Sequence, residues 1–196
     1  MIAEENFFPK KLTLEFDPFI RHFERYHTIV KFLGKTGLNE TWLDCACGSG
    51  YGTNLLSNFT SDIIGYDISE AAVKYANDTY SDQHCKFTHT LDSLKIFDVI
   101  FSVETIEHMS EFDGILFLSK LHSNLKSDGV MLITTPIVDI TNNNPKNKFH
   151  VLEYSDKDFI KLMEASGFVV ADSFFIPTTF TDGESKNQGY YKCIKN

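Results

Sequence analysis

The sequence predicts an α/β protein built on a largely parallel sheet. Segments with helical spacing of apolar residues alternate with short, continuous apolar segments, a pattern typical of parallel strands joined by helices. A glycine-containing loop follows the first apolar segment and opens a helix. The 196 residues, 42 % apolar and 23 % charged, fit one domain of ordinary globular composition.

The individual elements follow from the same two periodicities. Strands are predicted at 41–46, 63–66, 85–89, 97–103, 130–134, 168–176 and 190–194. Helices are predicted at 17–33, 51–59, 70–80, 111–125 and from 155 to about 166, with Ser69 and Ser155 as N-caps. Because only a loop, 178–188, joins the last two strands, they can pair antiparallel. Residues 1–40 are expected to form an N-terminal helical cap on a single domain spanning 1–196.

The charge balance argues against broad electrostatic binding to nucleic acid or to an anionic membrane. Lys and Arg number 18 and Asp and Glu 27, which gives a net charge of −9. The longest apolar run, around 130–138, is too short to span a bilayer, and the first residues lack the apolar core of a signal peptide. The four cysteines form no C-x-x-C pair and are expected to be reduced thiols. We therefore expect a cytoplasmic protein with a small-molecule partner, and the oligomeric state stays open.

The loop after the first predicted strand has the features of a cofactor-binding turn. Small residues at Ala46, Gly48 and Gly50 let the backbone turn tightly and approach a ligand closely. The loop amides and the following helix N-terminus favour a negatively charged group. Asp67 ends the second predicted strand, 19 positions after Gly48, where an acid can accept hydrogen bonds from ribose hydroxyls. Loop and acid together predict an adenosine-containing cofactor.

Two residues bear on which cofactor this is. A dinucleotide fingerprint requires a third small residue, and Thr53 stands at that position. Asp44, at the strand end, would repel a pyrophosphate but suits a cationic ligand such as a sulfonium or an amino group. A nicotinamide-dependent reductase is thereby disfavoured.

At these residues the chain resembles the class I S-adenosylmethionine (SAM)-dependent methyltransferases. Their first motif, (D/E)-x-G-x-G-x-G, is met by Asp44, Gly48 and Gly50, with Ala46 at the first glycine. The resemblance covers about 25–168. It implies a three-layer, Rossmann-like seven-stranded sheet of order 3-2-1-4-5-7-6 with strand 7 antiparallel. It also implies methyl transfer from SAM to an oxygen or nitrogen of an acceptor.

The resemblance further implies which residues contact the cofactor. Residues 44–50 would hold its methionine end, Asp67 its ribose, and Asp92, followed by Ser93, its adenine. An Arg25-Tyr26 pair precedes the first strand, and Tyr26 would pack on the cofactor, although it also fits the apolar face of its own helix. The full expected set is Tyr26, Asp44, Ala46, Cys47, Gly48, Ser49, Gly50, Asp67, Ile68, Asp92, Ser93, Val103 and Glu104.

A second motif, Glu104-x-x-Glu107-His108, follows the fourth predicted strand. If it opens a helix or turn, its three side chains share a face. His150 lies in the loop after the fifth strand, and the carboxyl ends of parallel strands meet at one edge of the sheet, where ligands bind. We therefore expect both histidines at the mouth of the cofactor pocket. Two carboxylates and two imidazoles are a plausible divalent-metal shell. In a purely structural interpretation the glutamates stabilise the first helical turn and the histidines form pocket wall.

This motif resembles three methyltransferase branches. Together with a later histidine it matches small-RNA 3′-terminal 2′-O-methyltransferases, in which Glu104, Glu107, His108 and His150 would bind a divalent metal. It also resembles ubiquinone-pathway O-methyltransferases. The run Phe149 to Ser155 is similar to the F-H-V-x-E-Y-S of bacterial capsule or sugar methyltransferases, which fit best.

The interpretation that we favour is methyl transfer to a small molecule. A hydroxyl acceptor needs a general base, and His108 and His150 are the candidates. The alternatives are an RNA 2′-O-methyltransferase with a divalent metal and a SAM-binding protein without catalytic activity.

Overall fold

The computed structural model describes residues 18–34, 37, 39–91, 95–143, 145–179, 183 and 185–196. The chain divides into two compact units, Met1–Asp92 and Ser93–Asn196. Residues 1–17 of the predicted N-terminal cap lie outside the described part of the chain.

The first unit alternates three helices with three parallel strands. Its elements are α1 (Pro18–Leu33), β1 (Thr41–Cys45), α2 (Tyr51–Leu56), β2 (Asp62–Tyr66), α3 (Glu70–Tyr80) and β3 (Cys85–Thr88). Strand β2 lies between β1 and β3. Trp42, Leu43 and Ile63 are fully buried, as expected for strands covered on both faces. Gly65 of β2 pairs with Asp44 of β1, so the end of β1 is held where the glycine loop begins.

The second unit contains a mixed sheet. Its elements are β4 (Phe97–Val103), a 3₁₀ helix (Ile106–His108), α4 (Glu111–Asn124), β5 (Leu125–Val138), β6 (Tyr154–Ser155), α5 (Asp156–Ala165), β7 (Phe168–Thr179) and β8 (Ser185–Lys195). Strands β4 and β6 pair with β5 in parallel. Strand β8 runs antiparallel to both β5 and β7. The serines at 110 and 155 cap α4 and α5 by accepting hydrogen bonds from the backbone amides at 113 and 158.

The strand order confirms the predicted fold class. The sheet order is β3-β2-β1-β4-β5-β8-β7, with the short β6 paired to β5. Apart from β6, which the sequence did not predict, this is the order 3-2-1-4-5-7-6 with its antiparallel penultimate strand.

The predicted starts of two strands were wrong because ladder pairing overrides local residue preferences. Strand β5 begins at Leu125 rather than at the predicted 130, and the predicted helix 111–125 ends one residue earlier, at Asn124. Leu125 pairs with Phe97, and Lys126 Nζ donates to Asp98 Oδ1 at 2.6 Å. Strand β8 begins at Ser185 because it pairs with β7 over its whole length. The helix α2 ends at Leu56, short of the predicted 59.

The four cysteines are unpaired thiols, and all are buried. In the described part of the chain, every helix falls short of the length and apolar character that a bilayer crossing would need.

Candidate functional site

Three residues of the loop between β1 and α2 have positive φ angles, in the left-handed region. Ala46, Gly48 and Gly50 have φ angles of 64°, 54° and 86°. A Cβ at Gly50 would lie 2.6 Å from the Ala76 Cβ and 2.7 Å from a ring carbon of Phe87, so the loop is packed closely against its own unit. Ala46 adopts a conformation that costs a residue with a Cβ about 1–2 kcal/mol. Strain of this kind concentrates at ligand-binding turns.

Asp67, one residue beyond β2, holds the loop in place. Its Oδ2 accepts a hydrogen bond from Gly48 N at 2.8 Å, and its Oδ1 accepts one from Ser69 N at 2.8 Å. Cys47 N donates to Tyr66 O at 3.0 Å. Because each carboxylate oxygen can accept more than one hydrogen bond, Asp67 can also receive ribose hydroxyls.

Asp44, the fourth residue of β1, is a fully buried carboxyl group that accepts hydrogen bonds from two hydroxyl groups. Thr53 Oγ1 donates to Asp44 Oδ2 at 2.7 Å. The hydroxyl of Tyr26 lies 3.1 and 3.2 Å from the two carboxyl oxygens. Gly52 makes room for the Tyr26 ring, since a Cβ there would lie 2.1 Å from Tyr26 Cζ. Tyr26, in the predicted helix α1, therefore contacts Asp44 directly.

Burial controls the protonation of this group. Loss of water raises the pKa of Asp44 to about 7, although the hydrogen bonds from Thr53 and Tyr26 act in the opposite direction. Burial, followed by the nearby Asp44, raises the pKa of Tyr26 well above its ordinary value, so the phenol remains a donor. A carboxyl group poised near neutrality responds strongly to a cation placed beside it.

The other predicted cofactor residues have varied environments. Cys47 and Ser49 are buried within the loop, and burial raises the pKa of the Cys47 thiol well above its ordinary value. Ile68 is 68 % exposed beside Asp67 and offers an apolar surface to a ligand. Asp92 and Ser93 lie outside the described residues.

In the second unit, the Glu104-x-x-Glu107-His108 segment forms a turn and a 3₁₀ helix directly after β4. Val103 is the last residue of β4, and it is buried. Glu104 adopts a φ of 52°, unusual for a residue with a side chain. Its Oε1 accepts hydrogen bonds from Thr134 Oγ1 at 2.9 Å and Gln188 Nε2 at 2.6 Å. The strands β5 and β8 thus fix the Glu104 carboxylate.

Three of the four predicted metal ligands come together. One donor atom each from Glu107, His108 and His150 lie within 4.8 Å of one another, and this group does not include Glu104. The Glu107 side chain is buried, and its Oε2 accepts a hydrogen bond from Thr135 Oγ1 at 3.2 Å. The two imidazole rings meet edge to face, with centroids 5.2 Å apart.

The backbone of Glu107 also positions the loop that carries His150. Its carbonyl oxygen accepts hydrogen bonds from Val151 N at 2.7 Å and Leu152 N at 3.1 Å. His108 Nδ1 lies 2.9 Å from Phe149 O. Because a carbonyl oxygen can only accept, Nδ1 of His108 is the donor, and the ring's basic lone pair is on Nε2.

The sequence did not predict the polar residues that support the side chains of His150 and Glu104. Glu153 Oε1 lies 2.6 Å from His150 Nδ1 and 2.9 Å from Lys186 Nζ. Gln188 approaches Glu104 from 84 positions further along the chain. Glu153 is only three positions from His150, so the sequence could have indicated it as a partner. No local pattern indicates Lys186 or Gln188, because both lie on β8, which is distant in sequence from the residues that they contact.

These observations define a class of protein. A glycine loop between a strand and a helix, with a carboxylate at the end of the next parallel strand, is the mark of a Rossmann-like binder of an adenosine-containing cofactor. The chain belongs to the methyltransferase domain family, whose model matches residues 19–173.

Curated relatives agree with this membership. A "Probable S-adenosylmethionine-dependent methyltransferase" of Mycolicibacterium smegmatis is 28 % identical over 158 residues, 77 % of this chain and 60 % of the relative. A ubiquinone biosynthesis O-methyltransferase of Bradyrhizobium diazoefficiens is 30 % identical over 133 residues, 65 % of this chain and 50 % of the relative. The chain thus spans between half and three-fifths of the length of these two relatives.

A solved structure shows the same fold. Magnesium protoporphyrin IX methyltransferase from Synechocystis, with bound SAH, superposes with a TM-score of 0.74 at 16 % identity. The match covers 95 % of this chain and 90 % of that one.

Proposed function

We propose that this chain transfers a methyl group from SAM to an oxygen or nitrogen of a small-molecule acceptor. The observation that carries the proposal is the buried Asp44, which lies beside a loop anchored on Asp67. A pyrophosphate would meet an acid there, whereas the sulfonium and ammonium groups of SAM would meet a favourable partner.

Methyl transfer itself needs alignment more than covalent help. The acceptor oxygen or nitrogen must lie in line with the S–CH₃ bond, which breaks as the new bond forms. A hydroxyl acceptor must also lose its proton, and His150 and His108 are the proposed bases. An amine acceptor would need only to arrive deprotonated.

A metal-assisted version of the reaction is the second candidate, favoured by one observation. A carboxylate and two imidazoles within 4.8 Å of one another form a donor set that suits a divalent transition metal. Glu107, His108 and His150 would hold the ion, and it would act as a Lewis acid that lowers the pKa of an acceptor hydroxyl. Small-RNA 2′-O-methylation would use such an ion, but the net charge of −9 favours a small acceptor.

Calorimetric titration with SAM and with NAD tests the cofactor. We expect SAM to bind, and we expect Asp67→Ala to weaken its binding by about 1–3 kcal/mol, because a hydrogen bond to a charged group is lost. Asp62→Ala is the matched control, since Asp62 is exposed at the opposite end of β2. Binding of NAD without SAM would contradict the proposal, as would an equal loss in the control.

Turnover assays on the same preparation distinguish the base-catalysed reaction from the metal-assisted one. SAH formation from SAM is measured with pooled small-molecule acceptors, with and without a chelator. If a histidine is the base, its alanine variant loses about 10²- to 10⁴-fold in turnover while SAM affinity holds, and the chelator does nothing. If a metal is needed, the chelator abolishes turnover and added Mg²⁺, Mn²⁺ or Zn²⁺ restores it.

A further inference from the structure

Glu153 is a buried carboxylate of the second unit. It is fully buried, and its backbone is fixed by two hydrogen bonds with Asn142, N to O at 2.9 Å and O to N at 2.8 Å. Lys186 Nζ lies 2.9 Å from both of its carboxylate oxygens, and only 6 % of the lysine side chain is exposed. The carboxylate therefore has a fixed position and a fixed cationic partner.

The third partner of this carboxylate is His150. Its Nδ1 lies 2.6 Å from Glu153 Oε1, and the histidine side chain is 7 % exposed. The Lys186 ammonium lies 2.9 Å from each Glu153 oxygen, and this charge-assisted contact pairs with the carboxylate in its ionised form. An ionised carboxylate can only accept, so Nδ1 of His150 must be the donor.

Stability alone does not account for this arrangement. A buried ion pair is often no more stabilising than a pair of well-packed apolar residues, because both charges lose their hydration. The Lys186–Glu153 pair, however, directs one carboxylate oxygen at a single nitrogen of a histidine in the candidate site. The ring is thereby oriented with its lone pair on Nε2.

We propose that Glu153, held in place by Lys186, is the positioning residue that fixes His150 in the tautomer with its proton on Nδ1 and its lone pair on Nε2. The inference rests on the proposed function, in which His150 takes the acceptor's proton. In that step the acceptor O–H proton moves to Nε2, the O–CH₃ bond forms and the S–CH₃ bond breaks. The sulfonium becomes a neutral thioether, and the imidazolium, beside Glu153, later releases its proton to water.

The test is an NMR measurement of the histidine tautomers in the ligand-free protein, with histidine labelled with ¹⁵N. Long-range ¹H–¹⁵N correlations distinguish a protonated Nδ1 from a protonated Nε2, and His150→Gln assigns the signal. We expect the wild-type His150 to carry its proton on Nδ1 only. In Glu153→Gln the single amide oxygen is contested by Lys186 and His150, so the Nε2-protonated form should appear.

A second variant controls for the unpaired lysine charge that Glu153→Gln leaves, and His108 serves as an internal reference. Glu153→Gln combined with Lys186→Met removes both charges of the pair together, so it is expected to fold, and it should also lose the exclusive Nδ1 form. His108, whose tautomer depends on the backbone carbonyl of Phe149, should stay unchanged in every spectrum.

The inference is overturned if wild-type His150 is protonated on Nε2, or if both variants keep the Nδ1 form as the sole species. Because the measurement uses neither SAM nor an acceptor, its failure is distinct from a failure of the proposed methyl transfer.

Discussion

Asp44 is a single side chain whose charge depends on its surroundings more than on its identity. It lies in β1 with no exposed surface, and hydroxyl groups rather than cations hold it. Its folded-state pKa of about 7 exceeds the ordinary 3.8, so the native chain retains a proton that the unfolded chain releases. That difference makes the stability of the fold depend on pH.

The sign of this dependence gives the first prediction. Between about pH 4 and pH 7 the folded state binds more protons than the unfolded state, so the free energy of unfolding should fall as pH rises. The loss amounts to a few kcal/mol at about 1.4 kcal/mol per pKa unit. The difference between wild type and Asp44→Asn, measured by urea denaturation at several pH values, should show this slope.

The comparison with Asp44→Asn separates the effect of Asp44 from that of other groups that titrate in a similar pH range. Glu153, whose pKa is lowered, adds stability that is lost only as the pH falls below its ordinary value of 4.5, outside most of this window. His122, whose pKa is lowered, loses its contribution as the pH falls below 6.5, and the variant shares that effect. An identical slope in Asp44→Asn would show that Asp44 does not hold the proton.

Local patterns predicted the glycine loop and Asp67, but not the residues that support the side chains of His150 and Glu104. The glycine loop and Asp67 are close in sequence, and their spacing is a feature of strand-loop-helix geometry. Lys186 meets Glu153 from 33 positions away and Gln188 meets Glu104 from 84. Both residues lie on β8, whose first half was predicted as loop. Side-chain pairs of this kind depend on the register of the β5–β8 ladder, which no local residue pattern specifies.

At the scale of elements, hydrogen bonds connect the start of the segment 139–153 to the residues that follow it. Ser155 N donates to Thr141 Oγ1 at 2.9 Å, and Thr141 Oγ1 donates to Asp158 Oδ2 at 2.6 Å. One threonine hydroxyl therefore joins the start of the segment to the N-terminus of α5. The segment carries His150 and Glu153, so its base contributes to the geometry of the candidate site.

Thr141→Val should consequently destabilise the protein by about 1–2 kcal/mol, since it leaves the Ser155 amide and the Asp158 carboxylate without this partner. Thr141→Ser, which keeps the hydroxyl, should recover most of that loss. Urea denaturation measures both. Equal stability of the valine variant and the wild type would mean that water replaces the threonine hydroxyl at no cost.

At the scale of the whole molecule, acidic residues outnumber basic ones, and some of the lysines are already paired with acidic side chains. Ion pairs join Lys74 to Asp78, Lys126 to Asp98, Lys161 to Asp158 and Lys186 to Glu153. The chain has 18 basic residues against 27 acidic ones, so pairing leaves a surplus of negative charge. Phosphate binding needs Lys and Arg that can displace counterions from the nucleic acid, and each such contact adds about 0.7 to the salt slope of single-strand binding.

The last prediction concerns the class of acceptor. We expect short single-stranded RNA, labelled with a fluorophore, to show no anisotropy change at submicromolar protein in moderate salt, because the surplus negative charge repels the phosphates. Lowering the salt concentration should not create binding, since few counterions would be released. The same preparation must bind SAM in calorimetry, which shows that the protein is folded. Submicromolar RNA binding that weakens steeply with salt would instead reveal a local basic groove, and the RNA 2′-O-methyltransferase alternative would then replace the small-molecule acceptor.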